Sequence, residues 1–328
     1  MNFAHKTIIA AATAVLACAP MQAQAQAQTW PDKTVRLIVP YPAGGGVDPV
    51  ARLLGKKLSE RWSVPVIVEN KPGASGTIGA SHVARSEPDG TTIMVSATAE
   101  VVINQHIMKS MSYDPEKDLQ PVTLAVRLPF LLVANPEQPF KTVADLVSYA
   151  KKNPGQVTYA SSGNGTPQHL AGLMLENMAD IKMAHVPYKG VAPSITDLLA
   201  GHVNVGFAGL PTALPHVQKG GLKALAVSSK ESSPAAPNVP PVAASTGLGD
   251  YELNQWFGIF VRAGTPEKIV QKIQADVAGV LSMPDVKDTL AKLGAQPSGM
   301  PTAEFEQFVK SESNKFGEIV KKAGLKEQ

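Results

Sequence analysis

Apolar positions along the chain follow two alternating patterns. Short continuous runs rich in β-branched residues, such as Val35–Val39 and Phe130–Ala134, predict buried strands. Between such runs, apolar residues recur three or four positions apart, as at Val50, Leu54 and Leu58, which predicts helices with one buried face. This alternation predicts an α/β fold in which helices cover largely parallel sheets. The predicted strands are Val35–Val39, Val64–Val68, Thr92–Ser96, Phe130–Ala134, Val157–Ala160, Lys182–Val186, Val203–Phe207, Leu222–Val227 and Trp256–Val261.

A strand, a glycine-rich loop and a helix follow one another once in each half of the chain, which indicates two domains. The Pro- and Ser-rich stretch Ser232–Pro241 predicts a surface connection, because proline neither donates a sheet hydrogen bond nor continues a helix. Beyond it, two helical patterns extend from Ile269 to Leu281 and from Phe305 to Val320, with too few strands nearby for a third domain. We therefore expect the C-terminal helices to pack on the first sheet.

This arrangement requires the chain to cross between two lobes twice. We expect the crossings near Arg127–Pro129 and near Asn254–Phe257. Lobe 1 would then comprise residues 28–128 and 255–328, and lobe 2 residues 129–254. Trp256, at the return crossing, is expected to pack at the hinge rather than to stack on a ligand.

The N-terminus has the pattern of a secretory signal peptide. Lys6 precedes the apolar run Ile8–Ala17, and an Ala-Gln-Ala tract follows. The run is shorter than the roughly 20 residues that a membrane-spanning helix needs. We expect residues 1–27 to be removed and the mature protein to be periplasmic, beginning near Gln28. In the alternative, Val15–Cys18 is a lipobox and Cys18 carries a lipid anchor.

Composition excludes several classes of function. The formal net charge is +3, and no basic run suited to a phosphate backbone is present, so nucleic acid is not an expected partner. Cys18 is the single cysteine, which leaves the mature chain without disulfides or a cysteine-rich metal site. Zinc-protease, nucleophile-elbow and Walker motifs are absent, and the Gly163-x-Gly165 pattern ends in Gln168 instead of glycine. No catalytic residue, cofactor or metal is predicted.

Two glycine-rich loops remain, Pro40–Asp48 and Ser161–Pro167, each between a strand and a helix. The first N–H groups of a helix lack intrahelical acceptors and lie at the positive end of its dipole, so such a loop can bind an anion without a charged side chain. A cleft between both loops is therefore expected to hold a carboxylate. Replacing Gly46 or Gly163 by valine is expected to abolish binding without disturbing the fold.

Other candidates carry competing interpretations. Asp48 is favoured as a helix N-cap over a ligand contact, and Thr166 caps its helix in either case. His169 is interpreted as a surface residue rather than a polar contact to the ligand, and Lys189 as a solvated lysine rather than a cleft residue. Gly209 either lines the cleft floor or makes a turn. The candidate binding residues are Tyr41, Ala43, Gly45, Gly46, Asp48, Ser96, Ala97, Thr98, Ser162, Gly163, Asn164, Gly165, Thr166, His169, Tyr188, Lys189 and Gly209.

Five motifs in one order resemble those of the tripartite tricarboxylate transporter receptors, also called Bug receptors. They are Val39–Asp48, Val68–Gly76, Pro88–Thr92, Val186–Gly190 and Gly264–Pro266. The resemblance implies a type II-like periplasmic binding protein fold, whose two lobes close on a mono-, di- or tricarboxylate or an aromatic acid. It also implies a monomer that delivers its ligand to a membrane permease, and it places the carboxylate clamp at Ala43–Asp48 and Ser161–Thr166.

Two alternatives use the same cleft. One is an enzyme acting on a small organic acid, with His169 as its candidate base. The other is a sensory binding protein that acts on a signalling kinase.

Overall fold

The computed structural model of the protein describes residues 30–44 and 46–325. The predicted signal peptide, Cys18 and Gly45 lie outside these residues. The first sheet has six strands in the order β11-β4-β10-β3-β1-β2. Its strands are β1 (Val35–Val39), β2 (Val66–Asn70), β3 (Thr92–Ser96), β4 (Leu119–Leu128), β10 (Gln255–Arg262) and β11 (Gln296–Pro297).

Six helices accompany this sheet: α1 (Val47–Trp62), α2 (Thr77–Ala84), α3 (Asn104–Ile107), α8 (Glu267–Leu281), α9 (Pro284–Lys292) and α10 (Thr302–Lys322). The predicted helical stripe is confirmed in α1, which buries Val50, Leu54 and Leu58 on one face. Helices α8 and α10 both pack against β4. The expectation that the C-terminal helices return to the first sheet is therefore confirmed.

The second sheet has five strands in the order β7-β6-β8-β5-β9. They are β5 (Phe130–Ala134), β6 (Thr158–Ser161), β7 (Ala184–Pro187), β8 (Val205–Gly209) and β9 (Lys223–Val227), and the helices of this region are α4 (Val143–Lys152), α5 (Pro167–Ala179), α6 (Val191–Ala200) and α7 (Leu210–Gln218). Within the described ranges, no helix combines the length and the apolar character that crossing a bilayer requires.

Both sheets are mixed, so the expectation of largely parallel sheets needs correction. Strand β1 runs parallel to β2 and β3, and β6 runs parallel to β7 and β8. Strand β10 is antiparallel to both of its neighbours, β3 and β4, and β5 is antiparallel to β8 and β9. A strand reached through a helical crossover runs parallel to its predecessor, whereas a strand that enters from the other sheet arrives from the opposite end.

The chain leaves the first sheet after Leu128, enters the second at Phe130, and returns at Gln255. We propose the lobe division 28–128 with 255–328 and 129–254, since each sheet draws its strands from one of these parts. Near the return, Trp256 is buried against Phe305 and Phe308, and its indole Nε1 donates a 2.9 Å hydrogen bond to Glu312 Oε2. Trp256 therefore fixes β10 to α10.

Candidate functional site

A cavity of about 1050 Å³ is lined by residues from the parts of the chain that form both sheets. It lies at the carboxyl ends of β1, β3, β6 and β8, the edge where α/β sheets usually bind ligands. Ten of the candidate binding residues line it: Tyr41, Gly46, Ala97, Thr98, Ser162, Asn164, Gly165, Thr166, His169 and Gly209.

Part of the cavity wall is built from the first residues of helices. Val47 begins α1, and Ala99 begins a short π-helix, Ala99–Ile103. In the second sheet's region, Pro167 and Val191 begin α5 and α6, while Gly209 precedes α7. Because each of these is the positive end of a helix dipole, the wall presents partial positive charge from several directions.

Several backbone amides near these helix starts lack an acceptor. The N–H groups of Thr98, Asn164, Gln168 and His169 have no hydrogen-bond acceptor among the described residues. All four residues line the cavity. Unpaired donors at a helix start are the groups that hold carboxylates and phosphates in proteins.

The loop after β6 is held in shape by its own hydroxyl groups. Ser161 Oγ accepts a hydrogen bond from Gly163 N at 3.1 Å, and Thr166 Oγ1 donates to Gly163 O at 2.8 Å. Thr166 occupies the N-cap position of α5, as predicted, but its side chain makes no capping hydrogen bond. Ser162 Oγ donates to Gln168 Oε1 at 3.0 Å, which joins the loop to the first turn of the helix.

The interpretation of His169 as a surface residue is wrong. Its side chain is buried and stacks on His185, with ring centroids 3.7 Å apart, because α5 lies over β7. Gly165 N donates to His169 Nδ1 at 3.1 Å, and Ser161 Oγ lies 2.6 Å from His185 Nε2. Since Nδ1 of His169 accepts, the neutral ring carries its proton on Nε2.

Burial keeps both imidazoles uncharged. It lowers the pKa of His169 to about 3, with His185 as a second cause, and the pKa of His185 to about 4. Both rings line the cavity. His185 was missed from the sequence, where a histidine within a short apolar strand has no distinguishing signal.

Glu100 is a second buried group that sequence analysis missed. Its carboxylate accepts hydrogen bonds of 2.7 Å from Tyr41 Oη and from Ala97 N, two residues of the cavity wall. Full burial raises the pKa of Glu100 to about 7. The one signal was an acidic residue inside the otherwise apolar segment from Ala99 to Ile103.

Asp48 lies behind the cavity wall and is not an N-cap. Helix α1 begins at Val47 with Gly46 in the capping position, so Asp48 lies within the first turn. Its buried carboxylate accepts hydrogen bonds from Arg52 Nε, Asn70 Nδ2 and Gly44 N at 2.9–3.0 Å. The bond from Arg52 lowers the pKa of Asp48 to about 2. Asp48 therefore fixes the conformation of the loop.

Five other candidate residues are not among those lining the cavity. Ser96 is buried and its Oγ donates to Gly258 O, while Tyr188 Oη donates to Asp197 Oδ2 at 2.6 Å. Ala43 and Lys189 are exposed, and Gly163 is half-buried.

Sequence analysis missed several polar wall residues, namely Ser75, Asn104, Gln168, Thr212 and Gln255, which no local motif distinguishes. In residues 30–44 and 46–325, no three His, Cys, Asp or Glu side chains form a group suited to a metal ion.

The geometry agrees with what a comparison of sequences shows. Residues 50–325 match the family model of the tripartite tricarboxylate transporter family receptor, TctC. The chain belongs to this receptor family. The resemblance found in the sequence is thereby confirmed.

Among relatives, protein BugT of Bordetella pertussis is 31% identical over 312 residues, which cover 95% of this chain and 95% of BugT. The predicted two-lobe α/β fold is also confirmed, because solved members of the TctC family share it. R. palustris Rpa4515, solved with adipate, has a TM-score of 0.78 and 33% identity, covering 90% of this chain and 99% of its own. MatC from Rhodopseudomonas palustris, solved with bound malate, has a TM-score of 0.73 and 31% identity, with coverages of 88% and 99%. The family is one of periplasmic solute-binding receptors.

Proposed function

We propose that the protein captures a small organic acid in the cleft between its sheets and holds one carboxylate by backbone amides. The observation that carries this proposal is the set of unpaired N–H groups at Thr98, Asn164, Gln168 and His169, residues that line one cavity from both sheets' regions. The clamp would comprise the loops at Ala43–Asp48 and Ser161–Thr166. Gly163 belongs to the second loop and would shape it.

Energies of ordinary hydrogen bonds are sufficient for such a clamp. A hydrogen bond to a charged group contributes about 1.5–3 kcal/mol. Four such bonds would supply roughly the 8 kcal/mol that corresponds to micromolar affinity, after part is lost to ordering the partners. Binding with this affinity is reversible, which suits a protein that delivers its ligand.

Export and delivery complete the proposal. Residues 1–27 would direct the chain to the periplasm, and the two lobes would close on the acid around the connections at Pro129 and Asn254. The closed monomer would then be recognised by the subunits of a membrane permease. Relatives solved with adipate and malate support an organic acid as the ligand.

The enzyme alternative has weaker support. Ser161 and His185 are in contact, but Ser161 is buried, is not among the residues lining the cavity, and bonds to Gly163 within its own loop. His169 Nδ1 is engaged with Gly165 N. Neither histidine has a carboxylate partner among the described residues, so the triad that activates a serine nucleophile is not formed there.

A thermal-shift and calorimetry screen tests the proposal. The protein, purified after expression of the full chain, is titrated with succinate, adipate, hydrocinnamate and hexanoate. A ligand present at 100 times its Kd stabilises the folded state by about 2.7 kcal/mol, which raises the melting temperature. The amide of each acid that binds is the control, because it keeps the size and removes the anion. Equal binding of acid and amide would contradict the carboxylate clamp.

A further inference from the structure

We infer that a contact between Gly294 and Pro211 is the stop that sets how far the two lobes close, an inference that rests on the proposed closure of the lobes on a ligand. In the proposed division of the chain, Gly294 belongs to lobe 1 and Pro211 to lobe 2. The inference depends on how close this contact is, on its place beside the first crossing, on the rigidity of both sides, and on the open groove that adjoins it.

The two residues leave no space for a side chain between them. A Cβ atom on Gly294 would lie 2.9 Å from Cδ and 3.0 Å from Cγ of the Pro211 ring. Unbonded carbon atoms pack about 3.5–4.0 Å apart, so a side chain fits here only if the lobes separate. Glycine thus allows the backbone of lobe 1 to touch the ring in lobe 2 directly.

The contact lies beside the first crossing between the lobes. Two residues before Pro211, strand β8 pairs with Phe130, where the chain enters the second sheet. Two residues after Gly294, strand β11 pairs with Arg127, where the chain leaves the first sheet. Pro211 also lines the large cavity, which places the contact on the cleft side of the crossing. Closing the cleft therefore presses the two residues together, and a small separation here becomes a larger one at the far edge of the cleft.

Both sides of the contact are rigid. Gly294 follows the end of α9 with φ +64°, and its N–H donates to Ala291 O at 2.9 Å. The next amide, Ala295 N, donates to Leu290 O at 2.9 Å, so the turn is fixed to the helix by two hydrogen bonds. Pro211 lies in the first turn of α7, where its ring fixes its own backbone. Neither residue has a side-chain rotamer that could relieve a clash.

A second close contact between the lobes is softer. A Cβ atom on Gly165 would lie 2.9 Å from Ile107. The atom that it meets is Cδ1, the end of an aliphatic side chain, which can turn to another rotamer. This contact can therefore yield as the lobes approach, whereas the contact of Gly294 with Pro211 cannot.

The seam beside the contact is not packed. A groove of about 150 Å³ adjoins Gly294 and Pro211. Leu210, Leu214 and Ala235 line it from lobe 2, and Ala291 and Lys292 line it from lobe 1. In a continuous interface, side chains would fill this space to the density of a protein interior. The lobes thus meet here at a point, as a stop requires, and not over a packed surface.

Gly220 provides a matched control, because it follows α7 as Gly294 follows α9. Its φ is +75°, its N–H donates to Val217 O, and the next amide donates to His216 O. A Cβ atom on Gly220 meets nothing within 4 Å. Asparagine is accepted in this left-handed conformation after a helix. Gly294→Asn and Gly220→Asn therefore impose similar backbone strain, and only the first places atoms between the lobes.

The test measures the distance between the lobes with spin labels at Ile78→Cys and Ala192→Cys, exposed positions in the first turns of α2 and α6. All proteins carry Cys18→Ser, so that only the two added cysteines are labelled. The ligand is whichever of succinate, adipate, hydrocinnamate and hexanoate binds most tightly. We expect it to shorten the distance fully in the native background and in Gly220→Asn, and only partly in Gly294→Asn.

Ligand kinetics provide a second measurement on the same proteins. We expect the ligand to dissociate about tenfold faster from Gly294→Asn and to associate at the native rate, because the substitution affects the closed state and not the open one. Urea unfolding of both asparagine variants measures the strain itself. A merely structural role of Gly294 would change stability in both variants and would not change the dissociation rate in one of them alone.

Pro211→Ala tests the partner, since it removes the Cγ and Cδ atoms that a new side chain would meet. Adding it to Gly294→Asn should restore the short distance and the slower dissociation of Pro211→Ala alone. Equal distances and rates in Gly294→Asn and Gly220→Asn, or no restoration in the double variant, would overturn the stop and leave lobe closure standing. If no ligand shortens the native distance, or none of the four acids binds, the proposed function is overturned and the stop with it.

Discussion

The phenol hydroxyl of Tyr41 donates a 2.7 Å hydrogen bond to Oε2 of Glu100, which is fully buried directly behind the cavity wall. The pair connects the glycine-rich loop after β1 with the segment after β3. Because water does not reach the carboxyl group, its charged form is disfavoured, and its pKa is raised from 4.5 to about 7.

This raised pKa predicts a pH-dependent loss of stability. Between pH 4.5 and 7 the folded protein holds a proton at Glu100 that the unfolded chain releases, so the free energy of unfolding falls as the pH rises. The full effect is about 3 kcal/mol. Glu100→Gln removes it, and urea unfolding at pH 5, 6, 7 and 8 should show the variant gaining stability over the native protein as the pH rises.

The quantity to compare is the difference in unfolding free energy between Glu100→Gln and the native protein. This difference isolates Glu100, because the histidines titrate in an overlapping pH range in both proteins. Glu137→Gln, at an exposed acidic residue, is the control and should show a constant difference. A constant difference for Glu100→Gln would mean that Glu100 is ionised throughout the range.

The stacked histidines predict that the free energy of unfolding falls as the pH is lowered into the acid range, opposite to the effect of Glu100. Their folded pKa values, about 3 for His169 and about 4 for His185, lie below the ordinary 6.5. As the pH falls below 6.5, the unfolded chain gains protons that the folded protein does not accept, so stability is lost. At pH 4.5 each ring contributes up to about 2.5 kcal/mol of this loss.

His169→Asn isolates one ring, since the asparagine oxygen can still accept from Gly165 N. We expect its unfolding free energy to fall less than that of the native protein between pH 7 and 4.5. Gln218→Asn, an exposed change that leaves the number of titratable groups unaltered, should follow the native profile. Parallel pH profiles of unfolding free energy for His169→Asn and the native protein would contradict this prediction. They would show that the His169 ring is protonated as readily in the folded protein as in the unfolded chain.

The two loop glycines predict different outcomes for the same substitution. Gly46 has φ −56°, which any residue adopts, and a Cβ there would lie 3.6 Å from Phe257 Cζ at the cavity wall. Gly46→Val should therefore keep the melting temperature within a few degrees and remove the ligand-induced shift.

Gly163 has φ +140°, which L-residues rarely adopt. The expectation that valine leaves the fold intact is corrected here: Gly163→Val should lower the unfolding free energy by about 1–3 kcal/mol. Measuring unligated stability and ligand binding for both variants separates the two effects. An unchanged affinity in Gly46→Val would contradict the clamp.

Substitution of Asp276, which lies away from the cleft, is expected to lower the free energy of unfolding. Its carboxylate on α8 accepts 2.6 Å hydrogen bonds from Trp62 Nε1 and Arg61 Nε of α1. Asp276→Ala leaves the buried indole N–H without its acceptor, which should cost about 1–3 kcal/mol by chemical unfolding. Asp285→Ala removes a surface ion pair with Lys57 and an exposed acidic group in the first turn of α9, each of which contributes less than about 1 kcal/mol. Equal losses in both variants would contradict this role of Asp276.

The sequence alone determined the features that depend on neighbouring residues. Strand β1 has the predicted bounds, and β2 and β7 are displaced by two residues at their starts from the predicted strands. The apolar stripes of α1 and α10 and the strand–glycine-loop–helix order were also predicted, because periodicity and glycine content are local properties. Strand β4 was missed, since its ten residues include a proline and polar side chains among the apolar ones.

Tertiary structure decided the features that depend on how distant segments meet. The antiparallel position of β10 between β3 and β4 follows from the return of the chain from the second sheet, and no local pattern encodes it. The same holds for the stack of His169 on His185 and for the burial of Glu100 beside Tyr41. Each pair joins residues from different elements, and the same packing brought Asn70 of β2 to the carboxylate of Asp48. Whether a polar side chain faces a ligand, a partner or water is fixed only when the sheets and helices that surround it are in place.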